Sequence, residues 1–141
     1  MAISPDEALE RYTAAARAFA AGDHSSALAE MQMLADAGSA HGQHFIGWCY
    51  EQGIQRPKDY RLAFFWWSKA AAQGLKESMH AVAVMYEKGM GTAIDTTMAY
   101  VWYVRAATEG DVASQAAIPE LRKRLSPEAL VTATNLLRTE A

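Results

Sequence analysis

Residues 63–74 read AFFWWSKAAAQG, and thirty-six positions later residues 99–110 read AYVWYVRAATEG. Ala63, Trp66, Ala70, Ala71 and Gly74 return as Ala99, Trp102, Ala106, Ala107 and Gly110. The same step backwards meets Ala27, Leu34, Ala35 and Gly38. A fixed period between about 20 and 50 residues is the mark of units that bury their apolar faces by stacking on one another. Ala63, Trp66, Ala70 and Gly74 fall at i, i+3, i+7 and i+11, one stripe of an α-helix. The ring supplies buried area, and the alanines let a neighbouring helix approach to about 8 Å. We expect these four, with Ala99, Trp102, Ala106 and Gly110, to form the structural core. Trp66→Ala is then expected to cost about 3–5 kcal/mol. Gly74 and Gly110 stand where a helix ends, in a conformation glycine tolerates.

The rest of the chain supplies further helices. Ser4, Pro5 and Glu7 make a strong helix start. Leu9, Tyr12, Ala16 and Phe19 continue that helix at apolar spacing, to about Ala21. Gly22 and Asp23 break it; Asp23 is expected to cap a second helix over about 25–37, with Ala27, Met31 and Leu34 inward. Tyr50, Gly53 and Asp59 recur as Tyr86, Gly89 and Asp95, so a loop and a helix cap keep the thirty-six-residue step. Pro119 is expected to kink or split a helix over 111–125. Ser126 and Pro127 start a last helix with Ala129, Leu130, Ala133 and Leu137 on one stripe. It suits the atypical end that covers a stack's last apolar face. No stretch reads as a strand. The expectation is a single all-α domain, 1–141, of about seven helices: a hairpin (4–37), two repeats (38–73 and 74–109), then a partial repeat with a capping helix (110–141).

Composition excludes several classes. The 141 residues are 51% hydrophobic and 21% charged, with net charge −3, which gives no global footprint for nucleic acid or an anionic membrane. No run approaches the roughly 20 apolar residues of a membrane span. The acidic N-terminal stretch does not read as a secretion signal. A single cysteine, Cys49, cannot form an internal disulfide. A reducing, cytoplasmic setting is therefore expected.

Ile46-Gly47, Tyr50, Gly53, Asp59, Ala63, Trp66, Ala70-Ala71 and Gly74 form one copy of a longer pattern. Val82-Ala83, Tyr86, Gly89, Gly91, Asp95, Ala99, Trp102, Ala106-Ala107 and Gly110 form the next. This pattern resembles that of the Sel-one-like repeat (SLR) family, relatives of the tetratricopeptide repeat. The opening hairpin, with Glu30 at the tryptophan position, is more similar to a plain tetratricopeptide hairpin; Gln55 replaces the second loop glycine of the first copy. The resemblance implies a right-handed α-solenoid whose concave face is lined by the first helix of each pair. It also implies an adaptor that holds a protein or peptide partner.

Candidate contacts follow from helical spacing. His41, His44, Trp48 and Gln52 share one stripe, and His80, Val84, Glu87 and Lys88 continue it on the next repeat. Tyr12 and Ala16 take the aligned face of the opening hairpin. Aromatic anchors ringed by polar groups suit a peptide-binding groove, and histidine protonation near pH 6.5 would tune it. Trp48 has two readings, a groove anchor or a ring packed between repeats. His41, His44 and His80 lack the companions and spacing of a metal site, so no metal or cofactor is expected. No nucleophile or acid–base set is readable, and Cys49 sits on the inward stripe; no catalytic residue is assigned. Two alternatives stand beside the adaptor: an RNA-binding helical repeat, drawing on Arg122-Lys123-Arg124, and a self-associating, homodimeric subunit. Glu87 and Glu120 beside Lys88 speak against the first.

Overall fold

In a computed structural model, residues 2–139 are described. Met1, Glu140 and Ala141, part of the expected 1–141 domain, lie outside them. Eight helices follow one another without a strand among the described residues: α1 (Pro5–Ala20), α2 (His24–Asp36), α3 (Ala40–Gln52), α4 (Tyr60–Ala72), α5 (Lys76–Lys88), α6 (Thr96–Thr108), α7 (Val112–Lys123) and α8 (Pro127–Thr139). Each helix from α1 to α6 packs on the next one along the chain, and α8 passes over α7 to pack on α6. The architecture is an α-solenoid of stacked hairpins.

Side-chain caps set most helix starts. Ser4, Ser39, Asp59, Asp95 and Asp111 each accept from the backbone N–H three residues on, at 2.9–3.2 Å. Each such bond satisfies a donor the helix itself leaves open. Ser126 does the same for α8 at 3.0 Å. Asp23, expected to cap α2, precedes it but makes no side-chain cap bond. Pro119 does not split α7, which runs unbroken from Val112 to Lys123. The ring sits on an exposed face with Gln115 and Ala116, where water can reach the carbonyl that proline leaves without a donor. The helices number eight among the described residues, one more than expected, with α7 counted once.

The hairpins are joined by apolar clusters that cross their boundaries. Ala15, Met31, Leu34 and Ala35 of the first pair meet Ile46 of the second, with Trp66 against them. Ala63, Trp67 and Ala71 meet Met79, Val82, Met85 and Ala106, with Trp102 against them. Ala83, Ala99, Tyr103 and their neighbours meet Leu121 of α7 and Ala133 of α8. The last helix thus covers the end of the stack.

The core differs in detail from the expected stripe. Ala63, Ala70, Ala99 and Ala106 are fully buried. Trp66 and Trp102 are only half-buried, and Gly74 and Gly110 lie at exposed turns. The buried ring is the next one along: Trp67 is 4% exposed, and its repeat mate Tyr103 is 3% exposed. Trp66 and Trp102 instead lean on the preceding hairpin, each with a cation over its outer face, Lys69 at 5.6 Å and Arg105 at 4.6 Å. Their surroundings are equivalent. In the opening hairpin Glu30 occupies this position and pairs with Arg11. Leu9, one of the apolar residues spaced along α1, is exposed.

Candidate functional site

The first helix of each pair (α1, α3, α5) carries the candidate side chains. Tyr12 on α1 and His41 on α3 put their rings 5.1 Å apart. Burial raises the Tyr12 pKa, and the Glu77 carboxylate of α5 adds to it. Burial also lowers the His44 pKa below its ordinary value; Glu77 opposes this and His41 reinforces it. Side-chain contacts thus run from α1 to α3 through Tyr12 and His41, and from α3 to α5 through His44 and Ser78. Ala16 is half-buried against the first cluster.

His44 is held from two sides. Its Nδ1 shares a 2.7 Å hydrogen bond with Ser78 Oγ of α5, and its backbone carbonyl accepts the Trp67 indole N–H at 3.0 Å. His80 repeats the first contact, with Nδ1 at 2.9 Å from Ser114 Oγ and 3.1 Å from Asp111 Oδ2. Histidine thus rivets α3 to α5 and α5 to α7. Burial alone would raise the Asp111 carboxyl, but bonds from the Ser114 hydroxyl and amide, with the His80 ring, outweigh it and hold the group below the carboxylate range. Trp48 stands edge-on to Phe19 at 5.8 Å and to Phe45 at 5.4 Å, half-buried between hairpins with part of its ring still open. Gln52 is exposed and donates to Glu51 at 3.0 Å. Val84 is half-buried, and Lys88 is exposed. Glu87 accepts from the Tyr103 hydroxyl at 2.7 Å and from Arg124 at 3.2 Å.

Sequence reasoning missed Ser78, Ser114, Trp67 and Glu51. A signal existed for all four: Gly42, Ser78 and Ser114 are small residues at the repeat step, Trp67 and Tyr103 are both aromatic, and Glu51 returns as Glu87. Between α3 and α5, with Trp67 of α4, lies a recess of about 230 Å³ bordered by Glu51, Trp67, His80, Val84, Met85 and Met90.

Ser114, His80 and Asp111 bring together the residue types of a hydrolytic triad, but serine and acid address the same ring nitrogen, and Ser114 is fully buried. A relay needs them on opposite nitrogens with an accessible hydroxyl. Burial pushes the Cys49 thiol up to about 11, with Arg56 opposing. Such a thiol is not a nucleophile at neutral pH. Among the described residues no three histidine, cysteine or acidic groups converge as a metal site. No described helix is long and apolar enough to cross a membrane.

Comparison with known families matches residues 40–75 and 76–111 to the Sel1 repeat. The chain belongs to the Sel1 repeat family. Two solved structures place it further. The crystal structure of a protective antigen present in uropathogenic Escherichia coli strains, displaying an SLR fold, superposes with a TM-score of 0.87 at 26% identity. That match covers 94% of this Sel1 repeat chain but 29% of the antigen. A Sel1 repeat protein from Oxalobacter formigenes gives a TM-score of 0.76 at 26% identity, covering 81% of this chain and 89% of that one. Comparison with curated protein sequences returned no match. Sel1 repeat proteins are in general scaffolds for protein interaction and typically non-enzymatic.

Proposed function

We propose that this Sel1 repeat chain is a non-catalytic adaptor that holds a segment of a protein partner along the strip formed by α1, α3 and α5. The observation that supports the reading is the side-chain linkage of the three helices: the Tyr12 and His41 rings stand 5.1 Å apart between α1 and α3, and His44 bonds Ser78 at 2.7 Å between α3 and α5. Trp48 supplies an anchor with part of its ring still open. Rigid aromatic groups ringed by polar ones are how such surfaces concentrate binding energy. RNA is disfavoured by the acids on this side, Glu51, Glu77 and Glu87. The lone buried cysteine suits a reducing, cytoplasmic setting.

Selection from a displayed peptide library is the test. We expect selected peptides to lose roughly tenfold or more in affinity on Trp48→Ala and several-fold on His41→Ala, with light scattering reporting a monomer. Peptides that bind both folded variants as well as wild type would move the surface elsewhere. A dimer that buries Trp48 would favour self-association.

A further inference from the structure

The two repeats carry the same acidic position in two different states. In the second, Glu87 is satisfied: the Tyr103 hydroxyl donates to it at 2.7 Å, and the Arg124 guanidinium donates to its other oxygen at 3.2 Å. Thirty-six residues earlier stand Glu51, Trp67 and Lys88 in place of Glu87, Tyr103 and Arg124. Trp67 has no hydroxyl to offer, and its N–H is already taken by the His44 carbonyl. Lys88 is exposed, and among the described residues no ion pair joins it to Glu51. Glu51 accepts from the side-chain amide of its own neighbour Gln52 at 3.0 Å, and among the described residues no cation pairs with it. It is half-buried at the edge of the recess walled by Trp67, Val84, Met85 and Met90.

A half-buried carboxylate beside an apolar wall suits a side chain with an aliphatic stem and a cationic end. The chain itself shows what fills the equivalent place, its own arginine on Glu87. We propose that the recess between α3 and α5 takes an arginine or lysine side chain of the bound protein segment, the stem against Val84 and Met90 and the charge on Glu51. Arg124 fills in cis at the second repeat the position that the partner fills at the first. This deepens the segment-binding reading and rests on it.

Capped peptide pools, randomised except for a central arginine, lysine, citrulline or norleucine, test this by fluorescence anisotropy. Citrulline keeps the shape of arginine without its charge. Arginine and lysine pools should bind roughly five- to tenfold tighter than citrulline and norleucine. Glu51→Gln should erase that preference while leaving citrulline binding in place. Equal binding of arginine and citrulline pools overturns the proposal without any variant, and so does a preference that survives Glu51→Gln. Either result leaves segment binding standing, whereas failure of every pool to bind would remove both.

Discussion

A Cβ added to Gly47 would stand 2.6 Å from Cδ1 of Trp67, so glycine at 47 is the condition for an indole at 67. One repeat on, Ala83 and Tyr103 hold the same two places in one cluster, a larger small residue beside a smaller ring. Gly47→Ala alone should cost about 1–3 kcal/mol by overpacking. Adding Trp67→Tyr should restore at least about 1 kcal/mol of that, because it writes the second repeat's solution into the first, with Glu51 placed to accept the new hydroxyl. Urea melts of the two single variants and the double close the cycle. Strict additivity would mean that the two repeats do not share a packing code.

The same pair marks what was legible in the sequence. Period, helix type, loop positions and the interior alanines can be read because a stack imposes the same demands on every unit. The buried ring cannot be chosen by identity. Trp66 and Trp102 match as letters, but Trp67 and Tyr103 match in burial. Inward direction depends on how the second helix is rotated against its neighbours, and a one-residue choice on a helix shifts the face by about 100°. Trp67→Ala should therefore carry the cost of about 3–5 kcal/mol. Trp66→Ala should cost about half as much, since its ring stays half-open under Lys69. Parallel melts reporting equal losses would contradict that ranking. Ser78 and Ser114 escaped reading for a related reason: a small polar residue on a helix looks solvated until the histidine from the neighbouring hairpin is seen against it.

The loop between α3 and α4 carries a strained residue. Gln55 has φ 57, where the second repeat has Gly91 at φ 74. The backbone path is kept despite the lost glycine, at the expense of left-handed strain. Gln55→Gly should stabilise the fold by about 0.5 kcal/mol. Gly91→Ala should do the reverse by about 3 kcal/mol or more, because its Cβ would stand 2.2 Å from the Tyr60 carbonyl oxygen. Thermal melts of the two variants should move in opposite directions, and a neutral Gly91→Ala would show that the loop is free to leave α4.

Cys49 gives a simple kinetic readout. The thiol is fully buried, and burial pushes its pKa to about 11, so it should not react with a disulfide reagent at pH 8 while the chain is folded. Modification should follow the opening of the hairpins and accelerate with urea. Rapid labelling of the native chain would place the sulfur at the surface.

His44 sets the pH response of the stack. Its folded pKa lies below the ordinary 6.5, first because burial disfavours the charged ring, against the pull of Glu77 and with the push of His41. Ser78 on α5 and the Trp67 ring on α4 complete its surroundings. Between 6.5 and the depressed folded value the unfolded chain binds the proton that the native chain refuses. Its contribution is therefore complete above about 6.5 and is lost as pH falls through the folded value. Asp111 has the same sign lower down: its contribution is complete above 3.8 and is lost as pH falls through its own depressed value. Melting temperature should accordingly decline in two steps on acidification. His44→Gln should flatten the first step, which begins near 6.5, and leave the acidic one in place. An unchanged first step in that variant would assign it to another group.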